Sequence, residues 1–206
     1  PTPLLRIDIP PELSTACNAF EKTEMWLDKE SRVEYGSHSK NTYVMDEPEC
    51  VQLKKFILDL VKDFAQNTLM YGYDEWVFSQ TWVSWKDPGQ QHIAHTHPNS
   101  VISGVFFYGY GEEGTPAIMF HKDEYQGNGQ SMMLKQKPYE EGKKTSPFAW
   151  KPFKPGLLLL FPSYFRHSVP INNTKYTRKS VSMNIVPKGG LGDPYSLTEL
   201  LFQKVL

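Results

Sequence analysis

Three of the six histidines in this chain, His92, His95 and His97, fall within six residues. Neutral imidazole suits iron, copper, nickel and zinc. A β-strand turns residues i and i+2 to one face, so His95 and His97 can grip one ion from one side. Pro98, Asn99 and Ser100 then turn the chain. That puts the pair at a strand end, at the rim of a sheet, where a metal keeps open positions for substrates. The same triplet is equally compatible with partly exposed histidines in a loop. His167 is the third candidate ligand. It follows the apolar run 157–161 and a tight turn, and it begins a short strand that can face the same rim. His92 stands three residues before His95 and reaches that face only if a bulge intervenes.

Eleven residues past His167 comes Arg178, with Ser180 two further on. On a strand the two share a face. A guanidinium fork and a hydroxyl together suit a carboxylate. A surface arginine and an ordinary strand serine would look the same in isolation.

These residues need a β framework. Residues 77–86 are rich in aromatic and β-branched types and end at the turn signature Asp87-Pro88-Gly89. Further strands are expected near 91–96, 101–110, 117–122, 131–137, 147–153, 156–161, 167–171 and 179–187. So many short strands without helices between them predict an antiparallel sandwich or barrel. Before them, residues 1–10 read as an edge strand or arm. A short helix is expected from Pro10 to about residue 27, and residues 28–46 read as loop with a short strand at 41–44. A longer helix is expected over 47–69. In it Val51, Leu53, Phe56, Ile57, Leu60, Val61 and Phe64 form one apolar stripe, which most simply packs on a sheet. Residues 196–206 read as a terminal helix with Leu197, Leu200, Leu201 and Val205 on one face. The expectation is one domain: an arm and buttressing helices over 1–73, a β core over 74–187, and a C-terminal helix over 188–206. Residues 109–114 match G-x-G-x-x-G, but a strand-like stretch follows them where a dinucleotide site needs a helix. They are read as a hairpin loop.

Composition excludes several classes. Of the 206 residues, 39% are hydrophobic and 14% aromatic, which disordered chains lack. The net charge of −1, without a basic stripe, does not indicate a nucleic-acid partner. No apolar run is long enough to span a membrane. The first residues do not read as a signal peptide. Cys17 and Cys50, the only cysteines, read as free thiols, and the expectation is a cytoplasmic protein. Asn172-Asn173-Thr174 fits a glycosylation sequon but reads as a turn.

Taken together, the motifs resemble the Fe(II)/2-oxoglutarate-dependent oxygenases, and most closely a subgroup of small enzymes found in phages and bacteria. The matching residues are His95-x-His97-Pro98, Ser103-Gly104-Val105-Phe106-Phe107, Phe161-Pro162-Ser163, His167-x-Val169-Pro170 and Arg178-x-Ser180-x-Ser182-x-Asn184. The match covers about residues 75–187. The resemblance implies a mainly β fold with supporting helices, built on a double-stranded β-helix, a cupin-like jelly roll. It implies Fe(II) held by His95, His97 and His167, and 2-oxoglutarate held by Arg178 helped by Ser180. His97 departs from the pattern, because most of the wider family has Asp or Glu there. His92, Trp82, Phe107 and Asn184 become candidates to surround the metal or meet substrate, and Trp85 and Tyr108 are further candidate pocket walls. The implied reaction is oxidative decarboxylation of 2-oxoglutarate coupled to hydroxylation of a C–H bond. The sequence names neither the substrate, small molecule or protein, nor an oligomeric state.

Two other readings fit parts of the pattern. A cupin-type three-histidine metal protein would use no 2-oxoglutarate, and the spacing from Gly156 through Pro162 to His167 resembles the second cupin motif. The glutamate that cupins place soon after H-x-H is absent here. A non-enzymatic β-sandwich would leave the histidines apart.

Overall fold

A computed structural model describes residues 3–26, 37–109, 116–121, 148–152 and 154–202. The strand expected at 131–137, most of the excursion 122–150 and most of the glycine-rich loop after Gly109 lie outside these residues.

The edge strand is β1 (Leu5–Asp8). A 3-10 turn, Pro11–Ala16, with proline in its first turn where a missing N–H costs nothing, leads into α1 (Cys17–Lys22). The helix expected to reach residue 27 stops there, because Thr23 is extended and the chain enters β2 (Met25–Trp26). β3 (Ser37–Ser39) pairs with β2. The strand expected at 41–44 is reduced to one bridge, Tyr43 to Thr81. α2 (Val51–Asp63) carries a 3-10 turn before it, Pro48–Cys50, and a π turn after it, Phe64–Thr68. Its stripe buries Leu53, Ile57, Val61 and Phe64, whereas Val51, expected on the same stripe, is the first residue of the helix and is exposed.

The β body follows as β4 (Trp76–Lys86), β5 (His92–His95), β6 (Ile102–Phe107) and β7 (Pro116–His121). It continues with β8 (Phe148–Pro152), β9 (Leu157–Pro162), β10 (His167–Val169) and β11 (Arg178–Pro187). The chain closes with β12 (Gly190–Leu191) and β13 (Leu200–Leu201). One sheet has seven strands in the order β1-β9-β6-β11-β4-β3-β2, and a second has four in the order β5-β10-β7-β8. Their strand pairs are antiparallel. This is the expected mainly β jelly roll with supporting helices.

Strand alternation divides the apolar side chains between two cores. Val181, Met183 and Ile185 of β11 and Leu158 and Leu160 of β9 join Phe20 and the α2 stripe. Leu157, Leu159 and Phe161 of β9 turn the other way and meet Val105, Phe107, Ile118 and Phe120 between the sheets. Hence the run 157–161 is buried on both faces and shows no polar alternation.

Over its described part, 196–202, the helix expected at 196–206 does not form, and Val205 lies outside the described residues. Leu197 has φ +55°, outside any right-handed helix. The Asp193 carboxylate accepts hydrogen bonds from the Ser196 backbone N–H and hydroxyl, which makes a turn. β12 and β13 then pair, with Leu200 and Leu201 exposed. An apolar stripe this short holds a helix only when another surface covers it. Among the described residues, no helix is long and apolar enough to cross a membrane.

Candidate metal centre

The inner face of β11 supplies the floor. Arg178, Ser180, Ser182 and Asn184 alternate with the residues that face the helices, so they share one side. Across the ladder from β4, Lys86, Ser84 and Trp82 sit opposite Arg178, Ser180 and Ser182. Val105 and Phe107 of β6 and Phe161 of β9 add apolar walls. The cavity measures about 210 Å³.

The histidines close its other side. β10 pairs with β5 so that His167 faces His95 and Val169 faces His92. Three steps along β5 therefore match two along β10, which is a β-bulge. The bulge brings His92 to the same side as His95, with ring centroids 4.3 Å apart. His97 lies beyond the end of β5, so the strand period does not place it. Its backbone N–H instead donates to Ser163 O in the turn before β10. Ligand nitrogens of His95, His97 and His167 lie within 4.8 Å of one another.

Hydrogen bonds settle how two of these rings point. Nδ1 of His95 donates to Ile93 O and Nδ1 of His167 donates to Phe165 O, each at 2.8 Å. A carbonyl only accepts, so each Nδ1 carries the proton and each Nε2 keeps its lone pair. Metal-ligating histidines are oriented in this manner. His97 Nε2 lies 3.2 Å from His167 Nε2. Bonds of about 2.1 Å to one ion at right angles put two nitrogens about 3 Å apart, so the donor set fits a metal ion.

Burial keeps the cluster neutral. Desolvation, then the neighbouring His95, lowers His97 to about 4 and His167 to about 3. Desolvation also lowers His95. No proton has to leave before a metal binds at neutral pH. The same shifts make the metal-free protein acid-sensitive. Unfolded histidines titrate near 6.5, so between that pH and about 3 the unfolded chain holds more protons than the folded one. Stability is therefore full above about pH 6.5 and is lost progressively as pH falls through the window. Urea midpoints of the metal-free protein at pH 7 and 4.5 should show this fall, and His167→Gln should make it shallower.

The structure brings most of the predicted site residues together. Arg178 is 6% exposed and lines the cavity with Ser180. Trp82 lies against His97, centroids 5.9 Å apart, and Phe107 faces inward. Asn184 lies beside His97 and favours its protonated form, yet its Oδ1 is buried without a hydrogen-bond partner. Trp85 and Tyr108 do not wall the cavity. They face the helices, where Trp85 Nε1 donates to Tyr108 Oη at 3.0 Å. Lys86 is a site residue that sequence reasoning missed. The alternation Trp82-x-Ser84-x-Lys86, matched to Arg178-x-Ser180-x-Ser182, was its available signal. Asn172 is 1% exposed, and its Nδ2 donates to Lys86 O and Tyr176 O, as a turn-forming amide does. A larger recess of about 760 Å³ shares His92, Val169 and Arg178 with the cavity.

A family model described as "Putative 2OG-Fe(II) oxygenase" matches residues 80–184, just over half of the chain. No curated protein matches. Among solved structures, a Burkholderia pseudomallei oxidoreductase of the 2OG-Fe(II) oxygenase family is 10% identical, with TM-score 0.59 over 89% of this chain and 84% of that one. A Pseudomonas putida prolyl-4-hydroxylase is 13% identical, with TM-score 0.58 over 91% and 94%. The non-heme alpha-ketoglutarate-dependent carbocyclase SnoK, from nogalamycin biosynthesis, is 11% identical, with TM-score 0.62 over 92% and 81%. At these identities the likeness speaks for the fold.

Proposed function

The chain belongs to the 2OG-Fe(II) oxygenase family, and we propose that His95, His97 and His167 hold its iron while Arg178 and Ser180 hold 2-oxoglutarate. The observation that carries this reading is the convergence of three nitrogens, two with their tautomer fixed by backbone carbonyls, across a small cavity from a buried arginine. When bound, Fe(II) supplies the redox chemistry by which dioxygen converts 2-oxoglutarate to succinate and carbon dioxide while a substrate C–H bond is hydroxylated.

The chain's own residues bind, orient and exclude water. The three imidazoles offer neutral Nε2 donors. Arg178 offers a fork for the distal carboxylate of 2-oxoglutarate, and Ser180 offers a hydroxyl on the same face. Phe107, Ile118 and Phe161 give the cavity an apolar wall, which strengthens those charge contacts. With His97 in place of a carboxylate, the ion's charge is undiminished and holds an anionic co-substrate more strongly. The substrate, whether small molecule or protein side chain, approaches through the larger recess past His92. A cytoplasmic setting agrees with the free thiols of Cys17 and Cys50, which burial raises to about 11 and 12.

Protein incubated with Fe(II), ascorbate and 2-oxoglutarate should form succinate without added substrate, and faster when a substrate is supplied. Absence of succinate with any substrate, together with no binding of 2-oxoglutarate by the metal-loaded protein, overturns the reading.

Asn184 gives a narrower test. A metal on His97 Nε2 leaves a proton on Nδ1, and the partnerless Asn184 Oδ1 is the acceptor beside that ring. Asn184→Ala should weaken metal affinity by about 10- to 100-fold, and Asn184→Asp should restore it. Titration against a competing chelator measures both.

A further inference from the structure

Lys86 ends β4 directly opposite Arg178, the first residue of β11. The two cations are 5% and 6% exposed, and both line the cavity that the histidines close. Lys86 Nζ donates to Ser84 Oγ at 2.8 Å, and Arg178 Nη1 donates to Pro170 O at 3.3 Å. Both partners are neutral. Among the described residues, neither cation forms an ion pair, and no Asp or Glu lines the cavity.

Two adjacent buried charges of one sign, with no counter-ion among the described residues, destabilise a fold. Burial, and then the charge of Arg178, lowers Lys86 to about 8. Asn172 fixes the backbone under the pair by donating to Lys86 O. Such an arrangement lowers stability unless an anion completes it, and functional sites are where such costs persist. A cavity of about 210 Å³ suits one small dicarboxylate rather than a co-substrate and a substrate together.

We propose that Lys86 and Arg178 form a two-cation cradle for a single carboxylate, making Lys86 a second binding residue for the distal carboxylate of 2-oxoglutarate. The proposal rests on the co-substrate site described above. It assigns Lys86 to specificity: the cradle discriminates 2-oxo acids that carry a distal carboxylate from those that do not.

The test is calorimetric binding to the Mn(II)-loaded enzyme under anaerobic conditions, with 2-oxoglutarate and with 2-oxopentanoate, which lacks the distal carboxylate. Lys86→Met keeps the length of the side chain and removes its charge. It should weaken 2-oxoglutarate by about thirtyfold or more and leave 2-oxopentanoate unchanged. Its ligand-free melting temperature should rise, because an uncompensated buried cation has gone. Lys86→Arg, which keeps the charge, should stay within about threefold of wild type. A structural lysine would give the opposite pattern: a lower melting temperature with the ratio of the two affinities unchanged. That result overturns the proposal, as does Lys86→Met binding 2-oxoglutarate like wild type. If Arg178→Met loses 2-oxoglutarate while Lys86→Met does not, the cradle fails and the co-substrate site stands. If wild type binds neither 2-oxo acid, both fail.

Discussion

Replacing His167 with alanine should remove stoichiometric metal and reduce succinate formation by about a thousandfold or more. Three neutral donors are few for an ion that must also hold an anionic co-substrate, and two cannot define the site. His167 is the most deeply buried of the three at 4% exposure. Its strand, β10, lies between β5 and β7, so its backbone is held on both sides. The ring packs edge-on against Phe161, centroids 4.9 Å apart, and its Nδ1 is tied to Phe165 O. No neighbouring side chain can swing in to replace it without breaking that packing. His92 is the nearest alternative, but its ring lies against His95 on the rim. The truncation also leaves a small cavity, which costs about 1–3 kcal/mol. Circular dichroism must therefore accompany the assay, so that lost activity is not lost folding. Metal analysis decides the matter. If His167→Ala is folded and keeps one equivalent of metal, the triad is not the site.

Why the triad was legible in sequence, and why its geometry was not, comes down to what strands report about themselves. A strand's own period places His95 and His167 on inner faces. It says nothing of His97, which lies past the strand end and is set by a bond from its backbone N–H to Ser163 O. His92 reaches the inner face through a bulge defined only by the pairing of β5 with β10. Lys86 is the last residue of the strand expected over 77–86, and the strand period alone gives it no role. Only the register that sets it opposite Arg178 makes it part of the floor. The long helix and most strands followed from periodicity, because their apolar stripes have a core to meet. The last residues did not, because Leu200 and Leu201 have no such surface and the chain turns at Asp193.

Arg178→Ala should weaken 2-oxoglutarate by about a hundredfold while leaving metal affinity within about threefold. The separation is geometric. Arg178 opens β11 and donates to Pro170 O, whereas the three histidines hang on β5, the loop after it and β10. Removing the guanidinium deletes a bidentate partner for a carboxylate at a buried position, where charge-assisted bonds are strong. The loss stops short of complete because Lys86 remains opposite, 5% exposed and still cationic at neutral pH. Arg178→Lys should recover only part of the affinity, since an ammonium cannot reproduce the fork. Stability should change little or rise, because burial already disfavours this charge, lowering Arg178 to about 10. A cupin-type metal protein would show no coupling between Arg178 and 2-oxoglutarate, so metal binding and 2-oxoglutarate binding measured on the same variant separate the two chemistries. Loss of both together would mean that Arg178 supports the fold of the site rather than the co-substrate.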